Sequence, residues 1–125
     1  MAQVLVVDDK EDNRLVLARM LEFGGHRVHC ASNGQEALSV ASTHKPDAIL
    51  MDLAMPGMDG WTATARIKER PELQNIPVIV VTGHVTSDEI GRAQEVGCED
   101  IVSKPVDYYV LVDKIRQHTA TRQSA

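Results

Sequence analysis

A doubly wound α/β fold, a single five-stranded parallel sheet with helices on both faces, is predicted for this chain by three features of its sequence. Five short apolar runs recur along it: Val4–Val7, Val28–Ala31, Ala48–Met51, Val78–Val81 and Ile101–Val102. Each is followed by a segment of helical length that carries its own start signal. The first, third and fourth runs are unbroken and rich in Val, Ile and Leu, the composition of strands covered on both faces, as parallel strands are. Such alternation, with crossover-length connections that are right-handed by strong preference, puts helices on both sides of one sheet.

Taken in order, the run VLVV at Val4 ends on Asp8-Asp9 and gives way to an amphipathic stretch carrying Leu15, Leu17, Ala18 and Leu21. Asp12 and Asn13 are the expected start of that helix, and Gly24-Gly25 its stop, since a residue without Cβ takes the left-handed conformation that ends helices. His29 interrupts the second run, which therefore reads as an edge strand. Asn33 with Glu36 three residues on resembles a capping box ahead of Ala37, Leu38, Val40 and Ala41. After the third run, Asp59 is placed to cap the helix carrying Trp61 and Ile67. Thr86 with Glu89 repeats the capping device before Ile90, Ala93 and Val96. Gly91 lies within that helix, where either close helix packing or a softened, easily shifted element explains it. Asp107 caps the last helix, with Leu111 and Ile115 four apart on one face. From Thr119 the chain is small and polar and is expected to be disordered, which gives a domain over 2–120 and a flexible tail over 121–125.

The totals bound the function. A chain of 125 residues fits one domain with a real core and has no room for a second. With 13 basic and 18 acidic residues, a net charge of -5 and no Lys/Arg cluster, the electrostatic footprint of a nucleic-acid binder is missing. Cys30 and Cys98 share no short metal-ligand spacing and read as reduced core thiols. The five histidines His26, His29, His44, His84 and His118 show no pair at metal-ligand spacing and read as surface or edge residues. The start of the chain lacks a signal-peptide pattern, and no apolar run approaches the roughly 18 residues of a membrane span. A cytoplasmic protein without membrane contact is expected.

In an open parallel sheet, ligands bind outside the carboxyl ends of the strands. There the sequence places Asp8-Asp9 after the first run, Asp52 after the third, Thr82-Gly83 after the fourth and Ser103-Lys104-Pro105 after the fifth. Three crowded carboxylates repel one another, and a hard divalent cation such as Mg²⁺, which takes oxygen ligands and keeps several waters, is the natural compensation. Such an ion also binds phosphoryl oxygens, so a phosphate-bearing ligand is implied. Lys104 adds a mobile positive charge and Thr82 a hydroxyl donor. Asp52, from a central strand and followed by a Pro- and Gly-containing loop, is the best candidate for a nucleophile, because carboxylates form acyl-phosphate intermediates. Taken alone, Asp8-Asp9 reads as helix N-terminal acids, Thr82 as a strand end and Lys104 as a solvated charge; their shared rim favours the metal and phosphate reading. Trp61, Met55 and Met58 read as packing around the loop.

The paired acids Asp8-Asp9, the stretch DLAMPGMDG from Asp52, VVTG ending in Thr82-Gly83, and Ser103-Lys104-Pro105 together resemble the receiver domain of two-component response regulators over nearly the whole chain. The resemblance implies the flavodoxin-like, CheY-like (βα)5 fold with strand order 2-1-3-4-5. It implies that Asp52 accepts a phosphoryl group from a sensor histidine kinase or a histidine phosphotransfer protein. Asp8, Asp9, Asp52 and the backbone carbonyl of Ala54 would hold Mg²⁺, with Asp8 acting mainly through water. Lys104, Thr82 and Gly83 would meet the phosphoryl group, and Pro105 would follow a cis bond. The responding surface would span the fourth helix, fifth strand and fifth helix, roughly 86–119, and act on a downstream protein effector or a second copy of the chain. Many family members carry an aromatic switch residue where Ile101 stands, and Tyr108 and Tyr109 do not replace it. Such a protein is a signalling phosphoacceptor that assists its own phosphorylation and dephosphorylation, not an enzyme acting on a separate substrate. With no effector domain following Gln117, the expectation is either a stand-alone receiver acting through protein contacts, which is favoured, or a receiver excised from a longer hybrid kinase or regulator.

Two other functions share parts of this pattern. A phosphohydrolase with a strand-end Asp nucleophile and Mg²⁺, of the haloacid-dehalogenase type, has a second Asp two residues after the first, where Ala54 stands, and a cap domain. A flavodoxin-like cofactor binder needs a phosphate loop after the first strand, and Lys10-Glu11-Asp12 would repel a phosphate there.

Overall fold

The structure, a computed structural model, describes residues 2–55 and 57–123. Its elements alternate as expected: β1 (Gln3–Val7), α1 (Glu11–Phe23), β2 (Arg27–Ala31), α2 (Gly34–His44), β3 (Ala48–Asp52), α3 (Gly60–Glu69), β4 (Val78–Thr82), α4 (Ser87–Val96), β5 (Asp100–Ser103) and α5 (Tyr108–Gln123). All four strand pairings are parallel, and the order is β2-β1-β3-β4-β5. This is the CheY-like flavodoxin fold, with β2 and β5 at the edges.

Strand alternation sorts the core into two layers. Leu5, Val7, Ile49, Met51, Val78 and Val80 face Ala37, Leu38, Ala63, Ile67 and Ala93 of α2, α3 and α4. The intervening residues Val4, Val6, Leu50, Ile79 and Val81 face Leu17, Leu21, Leu111 and Ile115 of α1 and α5. Because both faces are covered, β3 and β4 are buried at every position, which is why their sequences read as unbroken apolar runs. The edge strand β2 shows the reverse, with Arg27 and Cys30 exposed.

Local hydrogen bonds explain the helix boundaries. Asn33 accepts from the Glu36 N–H at 2.8 Å, Asp59 from Thr62 at 2.8 Å, Thr86 from Glu89 at 3.1 Å and Asp107 from Val110 at 3.1 Å. These are the side-chain caps that the sequence indicated. α1 departs from expectation: it starts at Glu11, not after Asp12 and Asn13, and its N-cap Lys10 makes no side-chain cap. The turn is instead set from upstream, where the Asp8 carboxylate accepts the Lys10 N–H at 2.9 Å, and Glu11 and Asp12 fall in the first turn where the helix dipole favours acids. α1 ends at Gly24, and Gly25 follows at φ +90°, a conformation suited to a residue without Cβ.

Three further expectations change. Cys30 is exposed because β2 is an edge strand, so it is not a core thiol; Cys98 is half-buried, and burial together with the Glu99 charge pushes its thiol up to about 11. Gly91 has nothing within 4 Å of where a Cβ would lie, which removes the close-packing explanation for it. The chain does not leave the domain at Thr119: that residue is buried, its hydroxyl donates to the Ile115 carbonyl at 2.7 Å, and the α5 backbone continues to Gln123. Ser124 and Ala125 of that tail, and Pro56 of the Asp52 loop, lie outside the described residues.

Candidate functional site

Parallel strands of matched length bring their carboxyl ends to one rim, and the polar residues that end the apolar runs meet there. Asp52 is the last residue of β3 and Thr82 the last of β4; Asp8 directly follows β1, and Lys104 directly follows β5. Backbone hydrogen bonds hold the two flanking positions, from the Asp8 N–H to the Ala31 carbonyl at 3.1 Å and from the Lys104 N–H to the Thr82 carbonyl at 2.8 Å. The Lys104-Pro105 peptide is cis.

One carboxylate oxygen from each of Asp8, Asp9 and Asp52 lies within 4.8 Å of the other two. Asp8 is fully buried and Asp52 and Thr82 are 4% and 6% exposed, while Asp9 is half-buried at the mouth of the cluster. Lys104 donates from Nζ to Asp52 Oδ1 at 3.0 Å. Asp8 Oδ1 is satisfied by the Lys10 N–H, but Asp8 Oδ2 and Asp9 Oδ1 are buried without a hydrogen-bond partner. Burial pushes the Asp8 carboxyl above its ordinary value, and the charges of Asp52 and Asp9 push the same way; the Lys10 N–H and the Lys104 ammonium oppose them. Buried carboxylate oxygens without donors are costly, and a hard dication with oxygen ligands removes that cost. The donor set therefore fits Mg²⁺ in both ligand chemistry and charge.

The loop after Asp52 is held close to β3. The Met55 and Gly60 N–H groups both donate to the Leu53 carbonyl, at 3.1 and 3.2 Å, leaving Ala54 exposed between them. Gly60 opens α3 directly against β3, where an added Cβ would collide with the Asp52 carbonyl oxygen and sit 2.8 Å from Leu53 Cα. Met55 is buried, and Met58 packs against the core and covers Gly34. Trp61 is buried in α3, with the Arg92 guanidinium of α4 5.1 Å from its ring centroid.

Of the residues that the sequence singled out, Asp8, Asp9, Asp52 and Lys104 are joined by these distances, and Thr82 and Gly83 stand at the neighbouring strand end. Thr82 is turned to a partner the sequence did not suggest: its hydroxyl donates to Glu89 Oε1 at 3.0 Å and accepts from the His84 N–H at 3.2 Å. The sequence pattern alone suggests Glu89 only as a capping residue of α4. Ile101 is half-buried against the α2/α3/α4 layer. Arg14, which carried no sequence signal, donates to the Asp8 carbonyl at 2.8 Å and ties α1 to the rim. An apolar cleft of about 520 Å³, lined by Val16, Leu17, Met20, Pro105 and Val106, opens beside Asp8 and Lys104.

This fold with this constellation defines a class of signalling module, and comparison with known proteins identifies it. The family model for the response regulator receiver domain matches residues 4–116, and the chain belongs to that family. It is 38% identical over 115 residues to protein PilH of Pseudomonas aeruginosa, spanning 92% of this chain and 95% of that protein. Among solved structures it superposes on the chemotaxis protein CheY4 of Vibrio cholerae with a TM-score of 0.90 and 26% identity, covering 94% and 98% of the two chains. The receiver domain of the Pseudomonas aeruginosa sensor histidine kinase PA1611, solved with a magnesium ion coordinated in its active site cleft, matches with a TM-score of 0.88 and 28% identity over 95% and 98%. The chain is thus a receiver domain of two-component signalling, a class of signalling protein and not of classical enzymes. Among the described residues no helix is long and apolar enough to cross a membrane.

Proposed function

We propose that this receiver domain takes a phosphoryl group onto Asp52 from a phosphohistidine of a sensor kinase or phosphotransfer protein, and signals by shifting the surface formed by α4, β5 and α5. The observation that carries the reading is the cluster of buried Asp8 and Asp52 with half-buried Asp9, with orphaned carboxylate oxygens and Lys104 seated on Asp52. Asp8, Asp9, Asp52 and the Ala54 carbonyl would hold Mg²⁺, as the cleft of the PA1611 receiver does; when bound, the ion neutralises carboxylate charge and binds phosphoryl oxygens.

An Asp52 carboxylate oxygen attacks phosphorus; the O–P bond forms as the N–P bond to the donor imidazole breaks, and the freed imidazole takes a proton from solvent. The transfer depends on alignment and charge neutralisation more than on a protein base. Lys104 follows the negative charge from Asp52 to the new phosphoryl oxygens, and the Thr82 hydroxyl donates to one of them. Water later attacks phosphorus, releasing phosphate and regenerating the Asp52 carboxylate. Ala54 and His84, two residues after Asp52 and Thr82, flank the approach of that water, and Ala54 offers no group to hold or block it. The apolar cleft beside Lys104 suits a protein donor better than a small phosphate ester, and the output is a downstream effector or a second copy of this chain.

The test is titration with beryllofluoride and Mg²⁺, followed by Trp61 fluorescence, alongside intact mass after acetyl phosphate. A saturable Mg²⁺-dependent response and a single added phosphoryl group, both abolished by Asp52→Asn, are expected. Continuous turnover of varied phosphomonoesters would instead indicate a phosphohydrolase.

A further inference from the structure

We propose that Glu89 is a positioning residue that competes with the phosphoryl group for the Thr82 hydroxyl, and so holds α4 in its resting place until that competition is lost. The inference rests on the phosphoacceptor reading above and deepens it by naming the contact through which the site reaches the responding surface.

A threonine hydroxyl has one proton to donate. One of its lone pairs is engaged by the His84 N–H at 3.2 Å, and of the two acceptors within reach of its proton Glu89 Oε1, at 3.0 Å, is closer than the His84 carbonyl at 3.5 Å. A phosphoryl group on Asp52 can receive that proton only if Glu89 gives it up. The contact is also weak enough to yield: hydroxyl bonds to a carboxylate usually run about 2.5–2.7 Å, so 3.0 Å is long for one. A phosphoryl group brings about -1.5 to -2 charges to a site facing the Glu89 carboxylate, and repulsion adds to the exchange.

Losing this bond matters because α4 is otherwise lightly held. Ala93 is its only fully buried residue among those described, and Gly91 opens its middle to solvent. Glu89 lies in its first turn, with its N–H held by the Thr86 hydroxyl at 3.1 Å, so releasing the Glu89 side chain frees the end of α4 nearest Asp52. The helix also touches α3 through Arg92 over Trp61, which makes the indole a reporter of the release.

The test is a beryllofluoride titration at fixed Mg²⁺, read by Trp61 fluorescence, on the wild-type chain and on Glu89→Ala and Glu89→Gln, each in the native and the Thr82→Ala background. Removing the competing acceptor should raise apparent affinity about threefold to tenfold in Glu89→Ala. Glu89→Gln, whose amide oxygen still accepts but carries no charge, should fall between it and wild type. In the Thr82→Ala background, Glu89→Ala should change affinity by less than about twofold, the usual error of additivity. Unchanged or weaker binding in Glu89→Ala would overturn the proposal. So would an equal gain in both backgrounds, which would mean that Glu89 acts only as a nearby negative charge. Absence of any Mg²⁺-dependent response in the wild type would remove the phosphoacceptor reading itself, whereas a normal wild-type response with flat Glu89 variants removes this inference alone.

Discussion

Replacing Gly60 with alanine should destabilise the protein even though alanine is the better helix former. Gly60 opens α3, and its Cα lies so close to the end of β3 that a Cβ would overlap the Asp52 carbonyl oxygen, 2.8 Å from Leu53 Cα and 3.0 Å from the Asp52 carbonyl carbon. All three neighbours are backbone, so no rotamer change relieves the collision. The first turn of α3 must retreat by on the order of 1 Å, in an interior packed as densely as an organic crystal. Trp61, Ala63 and Ile67 are buried on the same helix and must move with it. Overpacking of this kind costs about 1–3 kcal/mol, while the gain over glycine at a helix position is about 0.5–1 kcal/mol. The net is a loss of up to about 2.5 kcal/mol, centred at about 1 kcal/mol, or about 4 °C in melting temperature for a domain of this size. Thermal unfolding followed by circular dichroism measures it. A midpoint equal to or above wild type would show that the backbone yields freely at this point, and the reasoning would fail.

The same substitution at Gly91 should act in the opposite direction: with no atom within 4 Å of the added methyl group, only the propensity gain of about 0.5–1 kcal/mol remains, and the midpoint should rise. An unchanged or lower midpoint would place an unseen constraint on α4. A second expectation concerns pH. His26 accepts the Ala2 N–H on Nδ1 at 3.0 Å, and burial, the N-terminal charge and Arg116 hold its pKa below the ordinary 6.5. A histidine kept neutral by the fold contributes stability that is complete above 6.5 and drains away as pH falls through its lowered value. His26→Gln, which can still accept the Ala2 N–H but does not titrate, should flatten that acid-side loss in a series of melting curves. An identical slope in both proteins would assign the loss to other groups.

The central strands were legible because a fully covered parallel strand has no polar face to interrupt its apolar run. The edge strand β2 announced itself through His29 for the complementary reason. Four helix starts could be read from Asn33, Asp59, Thr86 and Asp107, since a side-chain cap acts over three residues of sequence. α1 could not, because its first turn is set by Asp8, a residue whose type pointed to the rim chemistry. Gly60 stands in the Pro- and Gly-containing stretch after Asp52, but the constraint on it is the approach of α3 to β3, a tertiary contact with no local signature. The polar residues of the site stood out as strand-end acids, a hydroxyl and an amine, and parallel topology alone brings such positions together. The partnership of Thr82 with Glu89 was hidden for the opposite reason: Glu89 already had a complete local role as a capping-box residue, and only the direction of its side chain reveals the second one.

Asp52 is the carboxylate proposed to carry phosphorus, and the most direct measurement locates the acyl phosphate chemically. The protein is treated with acetyl phosphate and Mg²⁺, reduced with borohydride, which converts only an acyl phosphate, and mapped by peptide mass spectrometry. Modification is expected at Asp52 alone and is lost when Mg²⁺ is chelated. Modification at Asp8 or Asp9, or labelling that persists without the metal, would contradict it.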